Sequence, residues 1–335
     1  MIVAPDKTEL LTRARAQLAS VPGLEILENQ PLSAHTRFAI GGPADLLVTA
    51  DRIASFAQAL TISQESGLPW VVIGGGSNLV VSDAGFRGVV LKFQGSSLQV
   101  DPTASGAAVT VEAGAVLQDV VDFSTARGLR GLETMTGIPG WVGAAVYGNA
   151  GAYGHSISER VHAVTFLNGE GTRTFDNAAC EFRYRESIFK QRKDWIILNC
   201  ILRLDNADAV ELQRIANDIR RIRDAKYPPT MKCAGSIFKN FLLAELPPAV
   251  QAELPANVIR EGKVPSAWFL EQVGAKGMRV GDIQVATYHA NLIYNDGRGT
   301  ARDLVAVIRQ LKRAVGDRFG ISLEEEVQYI GEFAE

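Results

Sequence analysis

Residues 71–83 read VVIGGGSNLVVSD. Three glycines in succession leave main-chain amides uncovered, and uncovered amides can hold an anion such as a phosphate. The letters do not make a dinucleotide fingerprint. That motif needs G-x-G-x-x-G opening a helix, and here Ser77, Asn78 and an extended-looking LVVSD follow Gly74, Gly75 and Gly76. No Lys-Ser or Lys-Thr follows at the Walker A spacing. What remains is a nest of successive amides with Ser77 and Asn78 as extra donors; a plain turn between two strands would read the same way. A second stretch, GLRGLETMTGIPGWVGAAVYGNAGAYG over residues 128–154, is crowded with glycine and alanine and nearly free of charge. Small side chains over such a run suit a flat, largely apolar ring system lying against backbone. A tightly packed loop is the plainer alternative.

These stretches sit in a chain of 335 residues, enough for two or three compact units. Apolar residues make up 47% and the formal net charge is −3, so a folded protein is expected and a general nucleic-acid binder is not. No run approaches the roughly 20 apolar residues that span a bilayer, and the N-terminus lacks the pattern of a secretory signal. Cys180, Cys200 and Cys233 are scattered, with no C-x-x-C, which points to a reducing compartment, the cytoplasm, and to no metal site. Helical spacing appears at 8–20, 54–67, 117–128, 207–226, 265–274 and 300–320. Strand patterns appear at 70–74, 86–93, 96–100, 107–114, 195–204, 290–295 and 321–331, and NGEG at 168–171 signals a hairpin. Pro228-Pro229 ends the long helix and marks a domain boundary. The mixture lacks regular βαβ alternation, so the class is α+β.

Six segments in order, HTRFAIGGPADLLV (35–48), VIGGGSNLVVSD (72–83), GIPGWVGAAVYGNAGAYG (137–154), FRYRESIFK (182–190), AGSIFKN (234–240) and LEEEVQYIG (323–331), resemble the UDP-N-acetylenolpyruvoylglucosamine reductase (MurB) family. The resemblance runs from about residue 30 to residue 331. It implies an FAD domain similar to the vanillyl-alcohol-oxidase/PCMH type, built of two α+β subdomains, and a smaller α/β substrate domain. The division it suggests is 1–70 with 321–335, then 71–225, then 226–320. It further implies non-covalent FAD, with Gly74, Gly75, Gly76, Ser77 and Asn78 on the pyrophosphate and Ile138, Pro139, Gly140, Ala144, Tyr147, Ala150 and Gly151 along the rest of the cofactor.

The chemistry implied by the resemblance is NADPH-dependent reduction of UDP-N-acetylglucosamine enolpyruvate to UDP-N-acetylmuramate, for peptidoglycan precursors. Hydride reaches the β-carbon of the enol ether, charge develops on the α-carbon and its carboxylate, and a proton must follow. By motif position Ser236 is the proton donor, Arg185 the guanidinium beside the carboxylate and Glu326 the catalytic acid group. If 321–331 is a strand, Glu324 and Glu326 share one face, and like charge there would favour a proton-carrying form. Taken alone, each has an ordinary reading: a cap serine, a surface arginine paired with Glu186, a solvated acidic strand end. Tyr153, Lys226, Asn240 and His289 fall at substrate-contact positions. Three departures stand out: FKNF where the family reads FKNP, LEEEV where it reads LEPEV, and no tyrosine-bearing extra loop after 195–204, which places the chain in the branch without that loop. The expected protein is a monomer taking a small UDP-sugar, without nucleic-acid or membrane partners. A PCMH-type sugar or alcohol oxidase is the alternative enzyme, and a non-catalytic nucleotide binder the alternative class.

Overall fold

The computed structural model describes residues 6–333, so the first five and last two residues of the sequence-derived divisions lie outside the described residues. The chain divides into two compact units. One gathers the chain up to Gln30, Ala44–Gly76 and Arg87–Ala225; the other gathers Pro31–Pro43, Ser77–Phe86 and the chain from Lys226 onward. The break between Ala225 and Lys226 coincides with the end of the helix Ala209–Lys226, just ahead of Pro228.

The first unit holds two main sheets besides the short pair Gly151–Ala152 and His155–Ser156. Its smaller sheet runs Leu24–Pro31, Pro43–Ala50, Phe86–Phe93, Trp70–Val72, with Trp70–Val72 parallel to Val89–Leu91. Nearly every residue of Pro43–Ala50 and Phe86–Phe93 is buried, as expected of central strands covered on both faces. The edge strand Leu24–Pro31 stays largely exposed. Helices Lys7–Ala19 and Ile53–Glu65 belong to the same core through Leu18, Phe56 and Leu60. The larger sheet is antiparallel, in the order Gly171–Asp176, Val161–Asn168, Ile196–Asn206, Gly106–Glu112, Leu98–Pro102. Asn168 pairs with Gly171 across a two-residue loop, the hairpin that NGEG signals. The helix Val142–Tyr147 interrupts the glycine-rich stretch, which is therefore not extended bare backbone throughout.

The second unit is built on an antiparallel sheet ordered Cys233–Ser236, Leu292–Asn295, Ile283–Val285, Arg279–Val280. The helix Ala301–Phe319 buries Leu304, Val307, Ile308, Leu311 and Val315, the i, i+3, i+4 stripe of an amphipathic helix. Thr300 and Asp303 form a capping box at its start, and Gly320, at φ 66°, ends it in the left-handed conformation.

The C-terminal segment differs from its sequence pattern. Only Gln328–Ile330 is a strand, pairing in parallel with Leu79–Val81, and this tail counts with the second unit, together with Pro31–Pro43. Glu324–Glu326 instead runs beside Ile237–Lys239: Lys239 N–H donates to the Glu324 carbonyl at 2.9 Å and Glu326 N–H to the Ile237 carbonyl at 2.7 Å. The chain thus leaves one neighbour, at the Phe238–Glu325 bridge, for another within four residues.

Candidate active site

The glycine loop begins where Ile73 N–H donates to the Leu91 carbonyl at 2.9 Å. A Cβ on Gly75 would lie 3.1 Å from the Trp141 indole and one on Gly74 would lie 3.6 Å from the Ala144 methyl, so the first glycines lie against the start of the Val142–Tyr147 helix. Lys92, on the strand beside the loop, is 7% exposed, and its ammonium sits 5.1 Å from the centre of the Trp141 ring. Burial pushes its pKa down. Bare main chain, an indole and a cation suit a dinucleotide diphosphate, so the residues present fit FAD. Beyond Gly76, Asn78 donates its side-chain amide to the Glu326 carbonyl at 2.9 Å and accepts Gln328 N–H on its own carbonyl at 2.9 Å.

The rest of the glycine-rich stretch packs closely within the first unit. The Gly140 carbonyl accepts Leu117 N–H, the Ala144 carbonyl accepts Gly148 N–H, and Ala150 both donates to the Ala145 carbonyl and accepts from Ile157. Ile138, Tyr147 and Ala150 pack on the core. The Tyr147 carbonyl accepts the Ser187 hydroxyl, and burial followed by the Glu186 charge raises the Tyr147 phenol's pKa. Pro139 precedes Gly140, at φ 117°, which no other residue type adopts comfortably. Tyr153 stands at the tip of the turn between Gly151–Ala152 and His155–Ser156, 47% exposed and at φ 53°.

Arg185 occupies a tight reversal in which Arg183 and Glu186 exchange two backbone hydrogen bonds at 3.0 and 3.1 Å. Its φ of 58° is a conformation that non-glycine residues enter at a cost, and such strain clusters at functional sites. Its guanidinium donates to the Gly151 carbonyl at 2.9 Å, tying it to the glycine-rich stretch. Glu186 pairs with Lys190 at 2.9 Å, and the Lys190 ammonium also reaches the Arg185 carbonyl.

In the second unit Ser236 ends the strand Cys233–Ser236 opposite Leu292. Its hydroxyl lies 3.2 Å from the phenol of Tyr227. The next residue, Ile237, accepts Glu326 N–H, so Ser236, Glu326 and Asn78 are brought together within one unit. Of the three glutamates, Glu324 pairs with Lys239, Glu325 pairs with Lys312 at 2.9 Å, and Glu326 is the one whose backbone links both Ile237 and Asn78. The three glutamates lie outside the strand Gln328–Ile330, with Glu325 in an isolated antiparallel bridge to Phe238. The additional carboxylate of LEEEV, Glu325, is taken up by Lys312.

Lys226 ends its helix, and its carbonyl accepts the Tyr288 hydroxyl at 2.9 Å. Asn240 accepts Ser266 N–H at 3.3 Å. His289 lies edge-on to Tyr227, ring centres 6.2 Å apart, and its Nε2 has no hydrogen-bond partner among the described residues. Burial, then the charges of Lys226 and Lys276, pull its pKa down to about 4, so it is neutral near pH 7. Where the family carries proline, Phe241 opens a two-residue strand against Lys263–Val264 and sets its ring edge-on to Phe269 at 5.1 Å. A hollow lined by Ala126, Val210, Gln213 and Asn217 holds none of the candidate residues.

Three residues that carry this geometry are missing from the sequence-derived set. Tyr227 touches Ser236; Lys92 lies beside the glycine loop; Asn291 holds Phe238 by two hydrogen bonds of 2.9 Å, accepting its N–H and donating to its carbonyl. A lysine amid the apolar letters of FRGVVLKF was the one local signal available.

Comparison with known proteins gives one answer along the chain. A model of the FAD binding domain matches residues 44–175, and a model of the UDP-N-acetylenolpyruvoylglucosamine reductase C-terminal domain matches 227–330. The chain is 62% identical to a UDP-N-acetylenolpyruvoylglucosamine reductase of Solibacter usitatus over 94% of its own length and 100% of the relative's. It is 33% identical to the enzyme so named in Bacillus velezensis, over 92% and 94% of the two chains. The crystal structure of UDP-N-acetylenolpyruvylglucosamine reductase (MurB) from Thermus caldophilus superimposes with a TM-score of 0.69 at 27% identity, covering 92% of this chain and 99% of that one. The α+β class and the FAD-binding domain expected from the motifs are both present. With two domain models in the expected order and near-complete coverage of a 62% identical relative, this chain belongs to the UDP-N-acetylenolpyruvoylglucosamine reductase family.

Proposed function

We propose that this chain reduces UDP-N-acetylglucosamine enolpyruvate to UDP-N-acetylmuramate with NADPH as the electron source, for peptidoglycan precursor synthesis. The observation that carries the reading is that Glu326 N–H donates to the carbonyl of Ile237, beside Ser236, while the Asn78 side-chain amide donates to the Glu326 carbonyl, which brings Ser236, Glu326 and the end of the glycine loop side by side. Bound FAD supplies hydride chemistry. Gly74, Gly75, Gly76, Ser77 and Asn78 hold its diphosphate; Ile138, Pro139, Gly140, Ala144, Tyr147, Ala150 and Gly151 flank the remainder.

Ser236 delivers the proton to the α-carbon. Arg185, already pinned through the Gly151 carbonyl, offers a planar cation to the carboxylate on which charge grows. Glu326, with its main chain fixed at both N–H and C=O, supports the proton transfer. Lys226 and Asn240 serve the diphosphate region of the substrate, with Tyr153 beside the sugar nucleotide. His289, neutral near pH 7, offers a hydrogen bond there and adds no charge. The reading includes action as a monomer. The three cysteines are buried free thiols, which accords with a reducing cytoplasm. Among the described residues no helix is long and apolar enough to cross a membrane.

The test separates the two half-reactions. Under anaerobic conditions NADPH should bleach the yellow protein and the enolpyruvyl substrate should restore its colour. Ser236→Ala should leave bleaching intact and slow recovery. Protein that takes up no FAD would overturn the assignment, and a variant equally slow in both halves would overturn the proton-donor role of Ser236.

A further inference from the structure

We propose that Tyr227 is the proton source behind Ser236, its phenol reloading the serine as the serine protonates the substrate. The inference rests on the reading of Ser236 as proton donor. An aliphatic hydroxyl is a poor acid and gives up its proton readily only with a neighbouring group to help. The structure puts a phenol, a far stronger acid, 3.2 Å from the serine oxygen. When the phenol donates to Ser236 Oγ, the serine's own proton is turned away from Tyr227 and is available to a substrate carbon.

The surroundings of Tyr227 suit a phenol that gives up a proton. The Lys226 ammonium lies 5.1 Å from the centre of its ring. His289 approaches the ring edge, and burial with two nearby lysines keeps its imidazole neutral, so it brings no second positive charge at neutral pH. Tyr288 caps the Lys226 carbonyl with its hydroxyl, and Cys233 starts the strand that Ser236 ends.

The step balances. As hydride adds to the β-carbon, the π pair of the enol ether moves to the α-carbon. A new C–H bond forms there with the Ser236 proton; the Tyr227 O–H bond breaks and the serine O–H bond re-forms; water returns a proton to the phenolate after product leaves. One hydride and one solvent proton are consumed per turnover. Tyr227 acts through Ser236 and is a positioning and relay residue, not a group in contact with substrate.

A double-mutant cycle on the FAD-loaded enzyme tests this. Y227F should slow flavin reoxidation by substrate by about 10- to 100-fold, the lower part of the range for general-acid contributions. Its rate of reduction by NADPH and its melting temperature should stay as in the wild type. In an S236A background Y227F should cost nothing further, because the relay has lost its recipient. The wild-type solvent isotope effect should require two protons in flight, and that of Y227F one. Wild-type reoxidation by Y227F while S236A is slow would overturn the relay alone, as would an equal penalty for Y227F in both backgrounds. Wild-type reoxidation by S236A would remove the serine reading and the relay with it. Should Y227F fail to fold, a fluorinated tyrosine at position 227 keeps the ring and alters only the phenol's acidity. It should change reoxidation with Ser236 present and leave it unchanged in S236A, and no change in either background would refute the relay.

Discussion

Replacing Asn291 by alanine should cost more than its size suggests. The side chain is 2% exposed and its amide makes two hydrogen bonds of 2.9 Å to one residue, Phe238, which is itself 1% exposed. Asn291→Ala removes both at once and leaves a buried N–H and a buried C=O without their partner. An unsatisfied buried polar group costs about 1–3 kcal/mol, so the pair gives roughly 2–6 kcal/mol against a total stability of about 5–15 kcal/mol. Asn291→Asp should do no better: it keeps an acceptor for the N–H, sets a second acceptor against the Phe238 carbonyl and buries a charge. The assay is urea unfolding of FAD-loaded protein, comparing midpoints at constant slope. The damage should also reach the chemistry, since the Asn291 carbonyl accepts Ile237 N–H at 3.1 Å and Ile237 joins Ser236 to Glu326. Flavin reoxidation should therefore slow in whatever fraction stays folded, with reduction spared. A loss under about 1 kcal/mol, near the net worth of one ordinary hydrogen bond, would show that water or a shifted backbone satisfies Phe238 and would refute the reasoning.

His289 should make the fold acid-labile. Its folded pKa of about 4 lies below the ordinary 6.5, so the unfolded chain binds more protons between those values and stability falls as pH drops through that window. Denaturation midpoints from pH 7.5 to 4.5 for wild type and His289→Asn should converge at the acid end, and parallel curves would contradict it. Burial pushes the Cys180 and Cys200 thiols up to about 12, so neither should react with a disulfide reagent at pH 8 until denaturant is added. Fast labelling of either in the native protein, read by mass spectrometry, would refute their inertness. Gly75→Val should lower FAD content, because the first atom of a side chain already comes within 3.1 Å of Trp141 and valine adds two more. Flavin per chain after purification measures this, and full occupancy would mean that the indole swings aside at little cost.

The sequence was most informative where an argument needed only neighbours along the chain. Ala301–Phe319 is legible from its apolar stripe, its Thr-x-x-Asp start and its glycine stop, and the 161–176 hairpin from NGEG. The glycine loop is legible as a loop, since an extended strand and no helix follows it. The C-terminal strand pattern at 321–331 was legible only in part, because the segment changes partner: Glu324–Glu326 runs beside Ile237–Lys239 before Gln328–Ile330 turns to Leu79–Val81. Tyr227 and Asn291 were invisible for a related reason. A tyrosine after a helix and an asparagine before a strand have no local pattern, and Asn291 meets Phe238 across a separation of 53 residues. Even the glycine-rich stretch carried two messages. Gly143 is small because a Cβ there would come within 2.8 Å of Ala113, a packing demand that composition does not distinguish from a ligand's.

The parallel pairing of Leu79–Val81 with Gln328–Ile330 bears on how the protein comes into being. Asn78 reaches a partner 248 residues further along, and translation at about 5–20 residues per second puts tens of seconds between the emergence of the two. Throughout that interval the nascent chain carries a glycine loop whose far end has nothing to grip, with Val80, fully buried in the finished fold, uncovered. Such late closure calls for slow folding, and for a chaperone or early flavin capture to shield the loop. A polypeptide interrupted between residues 78 and 326 would carry Gly74, Gly75 and Gly76 and lack the Glu326 carbonyl that the Asn78 side chain grips.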